Sequence, residues 1–121
     1  MTSFELEVID VRDPVARHVS VTGELDLTNA DALGAAVVEA SGDSCPIALD
    51  LTQVTFVDSA ALHMLFRTSR LLGPGSFGIV VPSGSPIART FEIVGLPDLV
   101  TVRESLMELL TALAPAESAA Q

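Results

Sequence analysis

The residues of this chain best placed to do chemistry are Asp58 and Ser59. They follow the apolar run Leu49-Asp50-Leu51 and the connection Thr52-Gln53-Val54-Thr55-Phe56-Val57, and they open a segment with helical spacing. A serine at a helix start meets free backbone N–H groups and the positive end of the helix dipole, which together stabilise an anion. A phosphoryl group there adds about −1.5 to −2 charges near neutral pH. The same two residues also suit a plain helix N-cap, which contributes about 1 kcal/mol. Spacing alone leaves both readings standing.

At about 100° per residue, Leu62, Leu65, Ser69 and Leu72 form one arc of the segment, expected to face inward. Ser59, Ala60, His63, Arg67 and Arg70 fall on the other side, with Met64 at its border. The serine therefore shares a face with small and basic side chains. That pattern fits a docking surface for another protein, and it equally fits an ordinary solvated helix face. His63 lies one turn from Ser59, but a solvated helix face lacks the strained elbow and oxyanion donors that acyl transfer requires. His18, His63 and Cys45 show no zinc-ligand spacing. Gly73-Pro74-Gly75-Ser76 lacks the lysine and spacing of a phosphate-binding loop. The expectation is a non-enzymatic binding protein with no catalytic residue, metal, cofactor or small-molecule substrate.

Composition narrows the partners. Sixteen acids stand against six basic residues, all of them arginine, for a formal net charge of −10. Such a surface repels nucleic-acid phosphates and anionic lipid, and it suits an electropositive protein. A chain of 121 residues, 49% apolar with a mean hydropathy of +0.51, has the size and composition of one folded core. The single cysteine, Cys45, cannot form an internal disulfide, which fits a reducing compartment. Met1 to Ile9 carries no basic region of the signal-peptide kind, and no apolar stretch approaches the roughly 20 residues that span a bilayer. The expected location is the cytoplasm.

The elements that position Ser59 follow from periodicity. Phe4, Leu6 and Val8 alternate with acids, and Val19 and Val21 with Ser20 and Thr22, predicting two strands joined by a turn at Asp13-Pro14. Gly23-Glu24-Leu25-Asp26 reads as a loop, with Thr28 as N-cap of a helix carrying Leu33, Ala36, Val37 and Ala40 and Asp31 three residues on. A third strand spans Ile47 to Leu51, and a helix runs from about Ser59 to Leu72. Phe77 to Val81 forms a short central strand. Ser85-Pro86 starts a further helix and Gly95 ends it. Leu99 to Val102 is the last strand, and Leu106, Leu109, Leu110 and Leu113 mark a terminal helix. The order is ββαβαβαβα: an α/β protein whose mixed sheet is covered by helices, with a single domain over 1–114 and a flexible tail over 115–121.

Four stretches give this pattern a family likeness. Val21-Thr22-Gly23-Glu24-Leu25-Asp26, the strand leading to Asp58-Ser59, Phe77 to Val81, and Ser85-Pro86-Ile87-Ala88-Arg89 through Val94-Gly95-Leu96 resemble the STAS family, the sulfate-transporter and anti-sigma-factor-antagonist domain. The resemblance implies a mixed sheet of four to five strands and no catalytic activity. For the anti-sigma-antagonist branch it implies that Ser59 is phosphorylated by an anti-sigma factor kinase of the GHKL type, and that a PP2C-type phosphatase reverses this. The unphosphorylated form then binds the kinase and releases a sigma factor. Asp58 becomes the acid beside the phosphosite and Asp26 an acid of the earlier loop, near it in space. The implied partner surface is Asp26, Asp58, Ser59, Ala60, His63, Met64 and Arg67. Ala61 stands where the family pattern has glycine, an added methyl expected to bear on partner approach. The alternative is a constitutive STAS subunit of a lipid-transport or stress-signalling complex.

Overall fold

The computed structural model describes residues 4–12, 15–42, 45–73 and 75–113. The elements are β1 (Phe4–Arg12), β2 (Val15–Leu25), α1 (Ala30–Ala40), β3 (Ile47–Val57), α2 (Ser59–Leu72), β4 (Phe77–Val80), α3 (Pro86–Val94), a single 3-10 turn (Leu96–Asp98), β5 (Thr101–Arg103) and α4 (Leu106–Leu113). The strands lie in the order β1-β2-β3-β4-β5. β1 and β2 are antiparallel, with Phe4 opposite Gly23 and Arg12 opposite Val15. From β2 onward every pairing is parallel, as helical crossovers between successive strands require.

Alternation along the central strands sorts side chains to two faces. Val19, Val21, Leu25, Ile47, Leu49, Leu51 and Ile79 are fully buried on the face that carries α1, α2 and α3. Ala16, Ala48 and Val80 point the other way and are covered by Leu109, Leu110 and Leu113 of α4. The polar pair His18 and Asp50 shares this second face. His18 Nε2 lies 2.8 Å from Asp50 Oδ2, while Asp50 Oδ1 accepts from the Thr52 backbone N–H at 2.9 Å and its hydroxyl at 2.7 Å. Asp50 thus keeps its charge in a half-buried place because its oxygens are occupied.

Several sequence expectations are corrected. β3 does not stop at Leu51 but runs to Val57, because Gln53, Val54, Phe56 and Val57 continue to pair with β2 across two irregularities in register. Gly23, Glu24 and Leu25 are strand rather than loop for the same reason. Thr28 is not the cap of α1. That position falls to Asn29, and Thr28 instead donates to Asp26 within the preceding turn. Asp31 faces Arg67 of α2 rather than closing a capping box. Leu96–Asp98 winds as a 3-10 turn, so the last strand begins at Thr101. By contrast Ser85 does cap α3, accepting from Ala88 N–H at 3.1 Å, and Gly95 ends it at a φ of 80° that a side chain disfavours. The turn at Asp13-Pro14, Pro74 and the tail over 115–121 lie outside the described residues.

α1 and α2 pack side by side over the sheet. Gly34 makes the close approach possible: a Cβ there would stand 2.9 Å from Met64 Cγ. Arg17 of β2 donates to the Ala40 carbonyl at the last turn of α1, placing a cation at the negative end of that helix. α1 is thereby held against the strand that leads into the site.

Candidate functional site

The site is built at the carboxyl ends of the parallel strands β2 and β3, where the chain leaves the sheet through Asp26 and Asp58. Asp58 has extended backbone and its N–H donates to the Leu25 carbonyl, the last bond of the ladder. Its carboxylate then serves two elements at once. Oδ1 accepts from the Ala61 N–H at 2.9 Å, capping α2. Oδ2 accepts from the Leu27 N–H at 3.1 Å, tying the β2–α1 turn to the start of α2. The N-cap is therefore Asp58. Ser59 is the first residue of the helix, exposed, with no hydrogen-bond partner for its hydroxyl among the described residues.

The neighbouring turn is held by its own polar groups. Asp26 Oδ1 accepts from both the N–H and the hydroxyl of Thr28, at 2.9 and 2.6 Å. Asp26 N–H donates to Asn29 Oδ1 at 3.0 Å, and Asn29 Nδ2 donates to the Glu24 carbonyl at 2.8 Å. Asn29 is buried by this arrangement, and Leu27 is pushed outward with 79% of its surface exposed. Leu27 is thus an apolar side chain displayed on a polar turn, its backbone one hydrogen bond from the cap of α2.

Of the other residues expected at this surface, His63 and Arg67 are exposed on α2 and Ala60 is half-buried. Arg67 Nη2 reaches Asp31 Oδ1 at 3.2 Å, an open ion pair that adds little to stability. Met64 is corrected. It is 1% exposed, beside Gly34 at the floor of the groove between the two helices, and so offers almost no surface rather than a place at the border of the exposed arc. The single-arc wheel missed this because α2 has two neighbours, the sheet and α1, so Ala61, Met64 and Thr68 are buried along with Leu65 and Ser69. Ala61 is corrected for the same reason. Its methyl is fully buried in the core rather than displayed at the start of the helix.

Leu27 and Phe56, the latter 48% exposed near the end of β3, were not singled out by sequence reasoning. The one available signal for Leu27 was an apolar residue between two turn-forming polar ones, Asp26 and Thr28.

A five-stranded mixed sheet with helices on both faces, and an exposed serine opening the helix after the third strand, fit the STAS resemblance drawn from the residue order. Comparison with known proteins agrees. The family model of the STAS domain matches residues 8–109, and the chain belongs to the STAS family. The anti-sigma-F factor antagonist RsfB of Mycobacterium tuberculosis is 34% identical over 95 residues, 77% of each chain. The crystal structure of an anti-sigma factor antagonist from Mycobacterium paratuberculosis superposes with a TM-score of 0.81 at 31% identity, over 93% of this chain and 96% of that one. The Bacillus cell fate determinant SpoIIAA in its phosphorylated form is similar in fold, with a TM-score of 0.59 at 20% identity over 90% of this chain and 97% of that one.

Proposed function

We propose that this chain is an anti-sigma factor antagonist, a non-enzymatic binding protein of the cytoplasm that engages an anti-sigma factor through the β2–α1 turn and the start of α2. Phosphorylation of Ser59 switches that engagement off. The observation that carries the reading is the division of labour at the helix start. Asp58 does the capping, so the Ser59 hydroxyl is exposed, uncommitted and open to a kinase. The names of the relatives at 34% and 31% identity support the same function. On this reading the partner is a GHKL-type anti-sigma kinase, and a PP2C-type phosphatase resets the switch.

The switch needs no change of fold. A neutral hydroxyl is tolerated in an interface if it finds one hydrogen bond. A phosphate in its place sets a dianion against the partner, beside the carboxylate of Asp58. At an effective dielectric near 20 and a separation of about 6 Å, each like-charge pair costs on the order of 3 kcal/mol. That corresponds to more than about a hundredfold in affinity.

The test is capture from the native organism's extract on wild-type, Ser59→Ala and Ser59→Asp baits, with mass spectrometry of what is retained. An anti-sigma kinase held by the first two and lost from the third is expected. An identical partner set on all three removes Ser59 from the mechanism. A transport ATPase on all three replaces the antagonist reading with that of a constitutive subunit.

A further inference from the structure

β1 is a terminal strand of the sheet, and half of its backbone groups point away from β2 and meet no other strand among the described residues. It is nine residues long, without proline or glycine. A strand of that length with an open edge is a template for another extended chain. Its side chains form two rows, Glu5, Glu7, Ile9 and Val11 on one face and Phe4, Leu6, Val8, Asp10 and Arg12 on the other. Glu5 and Glu7 pair across to Thr22 and Ser20 and so lie on the sheet face that carries α4. α4 covers Ala16, Ala48 and Val80, with Val11 and Leu106 packed alongside, and leaves this acidic stretch open. Neither glutamate has a hydrogen-bond or ion-pair partner among the described residues. On the opposite face Leu6 and Val8 are exposed by 38% and 47%. A shallow depression lined by Glu5, Leu6, Glu7, Ser20 and Thr22 lies beside the two glutamates.

From this placement we infer that the outer edge of β1 is a second protein-binding site, which accepts an extended segment with basic residues at alternate positions and apolar residues between them. The segment adds as a sixth strand. Its backbone pairs with the open groups of β1, its basic side chains lie over Glu5 and Glu7, and its apolar ones lie against Leu6 and Val8. Charge decides between this occupant and a second copy of the chain. Each copy carries −10, which opposes association of two copies in any register; antiparallel self-pairing centred on Leu6 or Glu7 also sets glutamate opposite glutamate, whereas full-length pairing centred on Val8 does not. A basic strand meets attraction instead, locally and from the whole surface. Nothing in this site depends on Ser59, so it stands or falls separately from the switch.

The experiment titrates the intact protein with a capped peptide of nine residues, the length of β1, in which Lys alternates with Val. Amide chemical shifts and hydrogen exchange are the readouts. Protection of β1 amides is expected, with affinity falling about tenfold or more as salt rises from low to about 0.5 M. Glu5→Gln with Glu7→Gln is expected to weaken binding about threefold to tenfold. Glu92→Gln with Glu108→Gln, an equal charge change on exposed residues elsewhere, is expected to leave it unchanged. Equal weakening by both pairs, or binding that leaves β1 amides unprotected, overturns the site. Equal protection by a peptide alternating Glu with Val overturns the charge selectivity, and peptide-free dimerisation that protects β1 assigns the edge to a second copy.

Discussion

The double role of Asp58 makes a quantitative prediction. Asp58→Ala removes the cap on Ala61, worth about 1 kcal/mol, and the bond to the Leu27 N–H. The second bond is assisted by charge but exposed to solvent, so it contributes about 1 kcal/mol, below the range for charged groups in buried places. The expected loss is about 2 kcal/mol. With an unfolding entropy that scales with length, this is about 4 °C of Tm per kcal/mol, or about 8 °C. Asp58→Ser retains a capping oxygen but cannot reach both donors, so it is expected to lose about 1 kcal/mol. Asp58→Asn has one acceptor oxygen for two N–H donors and sets its NH2 against the other, and it is expected to lose more than serine does. Urea unfolding gives the stabilities, and amide exchange separates the two bonds. In Asp58→Ser the Ala61 amide stays protected while the Leu27 amide exchanges about fivefold faster, the equivalent of about 1 kcal/mol. Wild-type stability and an unchanged Leu27 amide in Asp58→Ser would show that the carboxylate does not tie the turn to the helix.

Leu27→Ala is expected to change stability by less than about 0.5 kcal/mol, since the side chain is exposed, yet to weaken binding of the anti-sigma partner about tenfold in a calorimetric titration. Ala61→Gly is expected to do the opposite. It destabilises the helix by about 1 kcal/mol and leaves partner affinity at the wild-type value, because the methyl is buried. Asp50 sets an acid limb. Burial pushes its pKa up, but the Thr52 N–H, the Thr52 hydroxyl and the His18 imidazole outweigh this and hold it below the ordinary 3.8. The folded state therefore binds fewer protons than the unfolded chain as pH falls toward that range. The stabilisation is complete above the unfolded pKa and is lost as pH falls through the folded one. Urea midpoints of Asp50→Asn are expected to be lower than wild type at neutral pH and to fall less steeply into acid; parallel acid limbs would refute the role given to the carboxylate.

The features legible in residue order are those set by local physics. Ser85-Pro86 and Gly95 bound α3 because a cap, a fixed φ and a left-handed residue act within a few residues of chain. Alternation placed Ile47, Leu49 and Leu51 on one buried face, since a strand's period of two is a property of the backbone. Ser59 opens α2 because Asp58 before it is a good cap. The remaining features depend on packing between segments distant in the chain. Which of Thr28 and Asn29 heads α1 depends on Glu24, held by the pairing of β2 with β3, and on Asp26 just beyond the end of that strand. Met64 and Ala61 are buried because a second helix lies beside α2, which no helical wheel contains. The bond from Leu27 to Asp58 joins residues 31 apart in the chain. His18 and Asp50, 32 apart, meet only because their strands are neighbours in parallel register. Contacts across such separations form when the sheet closes, and periodicity carries no record of them.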